Sequence, residues 1–204
     1  MTRVSFTQTD LQREMGIEAA RRARAATRLS TWQDSPSAHS DVDVILVRKK
    51  MRLLRYRTDS DAQAHPLLIV YALVNRPYMA DLTPECSLIN ELRAQGLEVY
   101  LIDWGYPGAE DAPHSLADYL LGDIDACVDE IRARHGVDAI DVLGICQGGT
   151  FSLCYAALCP EKIRRLVTTI TPVDFQTEGD LLSHLTQRID ARRLVEAWGN
   201  IPGF

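Results

Sequence analysis

The 204-residue chain has no apolar run approaching the ~18 residues that a membrane-spanning helix requires. Its opening stretch, MTRVSFTQTD, lacks the apolar centre of a secretory signal. Together these absences predict a cytoplasmic chain without a transmembrane segment. Cysteine pairing is missing too: Cys86, Cys127, Cys146, Cys154 and Cys159 are odd in number, form no CxxC pair and have no His-rich spacing around them. Neither a disulfide framework nor a zinc site is expected, and no metal or cofactor is predicted. There is no basic excess. Twenty-two Lys and Arg against 28 Asp and Glu leave a net charge of -6, which argues against nucleic acid or an anionic membrane as a general partner. The short runs Arg21-Arg22, Arg48-Lys49-Lys50 and Arg192-Arg193 read as solvated faces.

What is present is ordinary globular material, 46% hydrophobic, enough for one domain with a core. Residues 1–40 read as a helical arm over Leu11 to Leu29 followed by a linker. Residues 41–174 alternate strand and helix. Val42 to Val47 and Met51 to Tyr56 form a hairpin, and Leu67 to Val74 is an apolar run suited to a strand covered on both faces. Thr83 and Pro84 predict the start of a helix that ends at Gly96, before a strand at Val99 to Ile102. Ser115 and Asp118 resemble a capping box for a helix that stops at Gly136. A strand over Ile140 to Leu143, a helix ending near Pro160 and a strand over Ile163 to Ile170 complete the series, and no internal repeat interrupts it. Such alternation implies right-handed crossovers and an α/β fold, with a mostly parallel sheet carrying helices on both faces. Residues 175–204 turn polar and helical, and the sheet reads as unfinished.

The chemical signal lies in Gly144-Ile145-Cys146-Gln147-Gly148-Gly149, between a predicted strand and a predicted helix. This is a cysteine version of the nucleophile elbow, where a strained strand-to-helix turn lifts a reactive side chain above the sheet. Small residues two before and two after the nucleophile let that turn close, and Gly144 and Gly148 meet the condition, with Gly149 beside them. Two glycines at fixed offsets arise by chance around a cysteine about once in 200 cases. The helix start favours thiolate over thiol at Cys146. The other four cysteines read as packing residues. Acyl transfer also needs donors for an oxyanion, here the backbone N–H of Gln147 and one from the Val74-Asn75 corner. A histidine base oriented by an acid would follow the nucleophile in this arrangement. Of five histidines only His184 follows Cys146, and both it and Asp174 come too early for those roles.

Four segments, Pro66 to Met79, Tyr100 to Gly105, Leu143 to Gly149 and Thr171 to Phe175, together resemble the catalytic subunit of class III polyhydroxyalkanoate synthases. The resemblance implies an α/β-hydrolase fold, with residues 175–204 as the start of a cap over the site. It implies a short-chain (R)-3-hydroxyacyl-CoA substrate such as 3-hydroxybutyryl-CoA, with CoA only as the leaving group. Further implications are a polyester product on cytoplasmic granules, a companion synthase subunit of the PhaE type and a homodimeric core. Cys146 matches the family nucleophile. The family's catalytic Asp and His belong to a C-terminal portion with no counterpart here, so the chain is expected to be a fragment, or inactive alone. Two alternatives stay open: a cysteine hydrolase of the dienelactone hydrolase kind, and an inactive interaction partner.

Overall fold

The computed structural model describes residues 19–20, 42–57, 65–175, 184 and 189–199. The chain divides into two compact units, residues 1–36 and 37–204. The predicted arm over Leu11 to Leu29 lies almost wholly outside the described residues, of which only Ala19 and Ala20, both helical, belong to it.

In the larger unit, β1 (Val42–Arg48) and β2 (Met51–Tyr56) form the antiparallel hairpin. After them come β3 (His65–Val70), a small hairpin of β4 (Asp81–Thr83) and β5 (Cys86–Ser87), and α1 (Leu88–Ala94). β6 (Leu97–Asp103) leads to a π-helical stretch, Asp118–Ile124, that runs straight into α2 (Asp125–His135). β7 (Ile140–Ile145), α3 (Gln147–Leu158), β8 (Ile163–Thr169) and α4 (Ala191–Trp198) complete the order. The main sheet runs β1-β2-β6-β3-β7-β8, antiparallel as far as β6 and parallel from β6 to β8.

Burial explains the order. Leu68, Ile69 and Val70 of β3 and Val99 to Ile102 of β6 are fully buried, as strands covered on both faces require. α1 packs on β6, α2 on β3 and β7, and α3 on β3, β7 and β8. α2 turns Cys127, Val128 and Ile131 inward, following the apolar spacing read from the sequence, and ends at Gly136 with φ +63°. Cys127 fills the core against the Met51 sulfur at 3.7 Å.

Several details differ from the sequence reading. The helix expected from Pro84 starts later, because Ser87 and not Thr83 caps it: the Ser87 hydroxyl accepts from Asn90 N–H at 3.0 Å. Thr83 instead closes the β4-β5 turn, accepting from Cys86 N–H. Ser115 and Asp118 do form the reciprocal box, with Asp118 accepting from Ser115 N–H at 2.8 Å, yet the next turns widen to π geometry, a feature common near functional sites. Finally, β3 stops at Val70, leaving Tyr71 to Val74 as a loop at its carboxyl end.

Candidate active site

Cys146 stands between the last residue of β7 and the first of α3, with φ 55° and ψ -126°, a conformation that costs a non-glycine residue about 1–3 kcal/mol. Backbone hydrogen bonds hold it there. Its N–H donates to Thr169 O at 3.0 Å, pinning the elbow to the end of β8, and its carbonyl accepts from Gly149 N–H at 2.9 Å. The residue is partly exposed, unlike Cys127.

The flanking glycines are dictated by contact. A methyl group on Gly148 would lie 2.2 Å from Val70 O, and one on Gly144 would lie 2.6 Å from the α-carbon of Gly149. On Gly149 it would meet Thr171 Oγ1 at 1.9 Å. Only bare backbone lets α3 begin this close to β3, β7 and the segment after β8. The sharp turn predicted from the GxCxGG spacing is therefore present, and its helix start leaves the N–H groups of Gln147 and Gly148 without intrahelical partners.

Beside this turn runs the loop after β3. Asn75 N–H donates to Ala72 O at 3.0 Å, closing a four-residue turn. Leu73 N–H donates to the Gln147 side-chain Oε1 at 3.1 Å. Val74 N–H makes no hydrogen bond among the described residues. Of the two amides expected to serve an oxyanion from this corner, the Asn75 N–H is spent on the turn, which leaves Val74. Trp104 steadies the base of the loop by donating its indole N–H to Tyr71 O at 3.0 Å. Burial pushes the Tyr71 phenol well above its ordinary pKa, so it remains protonated.

The histidines lie elsewhere. His65, at the amino end of β3, meets Arg164 at 3.0 Å. His135 ends α2 and meets Tyr100 Oη at 2.8 Å; burial lowers its pKa against the opposing effect of Glu98. His114 pairs with Asp123 at 2.9 Å on the wall of a cavity of about 90 Å³, also lined by Lys49, Leu73, Trp104 and Tyr119 but not by Cys146. Between that pair and α3 stands one ring: Tyr119 sits edge-on to His114 at 4.4 Å and stacks on Phe151 of α3 at 6.1 Å. Among the described residues no histidine is hydrogen-bonded to Cys146. His184 and Asp174 are both exposed, and His39 falls outside the described residues.

Sequence reading missed two features of the site. The Gln147 side chain spans from α3 to the loop after β3, although only its N–H was expected to matter. Ile170 adopts φ +53° immediately after Thr169 while 82% exposed, and nothing in its β-branched side chain announces a left-handed backbone.

A strained cysteine on a strand-to-helix turn, after a parallel strand and beside a loop with an uncommitted amide, has the backbone geometry of a nucleophile elbow. The chain belongs to the alpha/beta hydrolase fold family, whose sequence pattern matches residues 65–194. Within it, the chain is 55% identical over 157 residues to the poly(3-hydroxyalkanoate) polymerase subunit PhaC of Allochromatium vinosum, covering 74% of this chain and 44% of that one. To the subunit of the same name from Haloferax mediterranei it is 41% identical over 209 residues, covering 99% of this chain and 42% of the relative. The chain thus spans less than half the length of these relatives. The resemblance read from the four motif segments is borne out. Among solved structures, epoxide hydrolase VrEH1 from Vigna radiata shares the fold, with a TM-score of 0.51 and 14% identity over 80% of this chain and 46% of that one.

Proposed function

We propose that this chain carries the nucleophile of a polyhydroxyalkanoate-synthase-type acyltransferase that takes (R)-3-hydroxyacyl-CoA, with 3-hydroxybutyryl-CoA as the substrate of choice. The single observation that carries the reading is Cys146 at φ 55° on a turn built by Gly144, Gly148 and Gly149, in a chain 55% identical to a PhaC subunit.

In the reaction the Cys146 thiolate attacks the thioester carbonyl and forms a new carbon–sulfur bond. The carbonyl oxygen takes the negative charge and accepts hydrogen bonds from the Gln147 and Val74 N–H groups. Collapse breaks the bond to the CoA sulfur, which leaves as thiolate and is protonated by solvent, while the acyl group stays on Cys146. Exchange between thiolate and thioester is nearly balanced, so the enzyme holds the acyl group without a deep trap. The hydroxyl of a second hydroxyacyl unit, giving its proton to a base, then attacks an acyl thioester; the new ester bond forms, the carbon–sulfur bond of that thioester breaks, and its sulfur leaves as thiolate to take up a proton. No other cofactor is required. The same reading includes a companion subunit, a homodimeric core and a cytoplasmic location at the polyester granule.

The test is the fate of the acyl group. Mixed with isotopically labelled 3-hydroxybutyryl-CoA, the protein retains label through denaturation and releases it on hydroxylamine treatment, as a thioester does. Rapid release of free 3-hydroxybutyrate, with many CoA freed per chain and no bound label, would mean a hydrolase of the dienelactone hydrolase kind.

A further inference from the structure

We infer that the Gln147 side chain is a positioning residue: it clasps the loop after β3 so that the Val74 N–H is held where an oxyanion on the Cys146 acyl group would form. The inference rests on the acyltransferase reading above.

Three consecutive amides make the case. Leu73 N–H is bound to Gln147 Oε1 at 3.1 Å and Asn75 N–H to Ala72 O at 3.0 Å, so the peptide on each side of Val74 is fixed while the middle amide stays uncommitted. A donor held from both sides is oriented before any charge appears, and such pre-orientation makes oxyanion stabilisation effective. The backbone beside the anchor is closely packed. Gln147 is the first residue of α3, next to Gly148, whose backbone lies so close to β3 that an added methyl would reach Val70 O at 2.2 Å and the α-carbon of Tyr71 at 2.6 Å. Below the clasp, the Trp104 indole N–H binds Tyr71 O at 3.0 Å. One residue thereby supplies one oxyanion donor from its backbone and sets the other through its side chain. Two donors on separate elements keep a fixed spacing only if something ties them, and here the tie is a single hydrogen bond.

The test compares two reactions of the same sulfur. Alkylation of Cys146 by iodoacetamide passes through no oxyanion, whereas acylation by 3-hydroxybutyryl-CoA or p-nitrophenyl acetate does. In Gln147→Met, which keeps length and loses the acceptor, acylation slows by about tenfold to a hundredfold while alkylation of Cys146 stays within about twofold of the parent. Gln147→Glu, which retains an acceptor oxygen, recovers part of the ratio of acylation to alkylation. Amide hydrogen exchange on the unmodified chain gives a readout that no variant's folding can spoil: Leu73 is protected and Val74 exchanges faster. An unchanged ratio in Gln147→Met, or an unprotected Leu73 amide in the parent, overturns the clasp. If the parent is acylated by p-nitrophenyl acetate but not by the CoA thioester, the synthase reading fails and the clasp is still decided by the ester. A parent acylated by neither overturns both.

Discussion

Gly148 lies so close to Val70 that the first carbon of any side chain there would fall 2.2 Å from the Val70 carbonyl oxygen. That oxygen belongs to the fully buried Val70 at the end of β3, so neither partner can yield cheaply. Gly148→Ala is expected to lose at least ~2 kcal/mol of folding stability, or to leave no folded protein. Gly96 is the control: φ is +80° with nothing within 4 Å of an added methyl, so Gly96→Ala costs only the backbone penalty of about 1–2 kcal/mol. Urea titration of both variants separates the two mechanisms, and equal losses would mean the elbow is looser than described.

Ile170 tests strain in the opposite direction. It holds φ +53° with a β-branched side chain that is 82% exposed, so it gains little from packing there. Ile170→Gly relieves the backbone and is expected to raise stability by about 0.5–1 kcal/mol, after the entropy that glycine adds to the unfolded chain. A fall in the urea midpoint would show that the side chain packs against something essential.

The GxCxGG spacing made the elbow legible because its requirement is steric and local: three small residues at fixed offsets from a cysteine, between an apolar run and a helix. The buried strands β3 and β6 were legible for a similar reason, since Leu67 to Val70 and Val99 to Ile102 have no polar position to mark a wet face. The start of α1 was not. Both Thr83 and Ser87 can cap a helix, and the choice depends on Asp81, a buried carboxylate whose Oδ1 accepts from the Ser87 hydroxyl at 2.6 Å across the small hairpin. At the Val74-Asn75 corner, where two amides were expected as donors, the Asn75 amide is taken by a turn to Ala72 O, which spacing alone did not reveal. The reach of Gln147 depends on Leu73, far away in sequence, so spacing alone carried no trace of it, and nothing in the Ile170 side chain signals its left-handed backbone.

Thiol chemistry should follow burial. Cys127 is fully buried, and burial pushes its thiol far above the ordinary range. Brief treatment of the native protein with iodoacetamide, followed by peptide mapping, is expected to modify the exposed Cys86 and the partly exposed Cys146 and to spare Cys127. Modification of Cys127 at the rate of Cys86 would mean that α2 does not pack as described.

His135 gives a stability dependence on pH. Burial lowers its pKa in the folded state, outweighing the attraction of Glu98, with Arg55 and Arg134 adding to the lowering. The unfolded chain therefore binds the proton more readily. This contribution to stability is complete above the unfolded pKa of about 6.5 and is lost as pH falls through that value towards the lower folded one. His135→Gln, which can still meet the Tyr100 hydroxyl, is expected to reduce the slope of stability against pH between about 7 and 5. An unchanged slope in urea titrations across that window would place the His135 ring in solvent.

The most direct measurement is the site of acylation itself. After the chain is mixed with 3-hydroxybutyryl-CoA, quenched in acid and digested, mass spectrometry should find one hydroxybutyryl group on the peptide containing Cys146, matched by one equivalent of released CoA, and none in Cys146→Ala. The same adduct in Cys146→Ala, or an adduct confined to the exposed Cys86, would contradict the assignment of Cys146 as the acyl carrier.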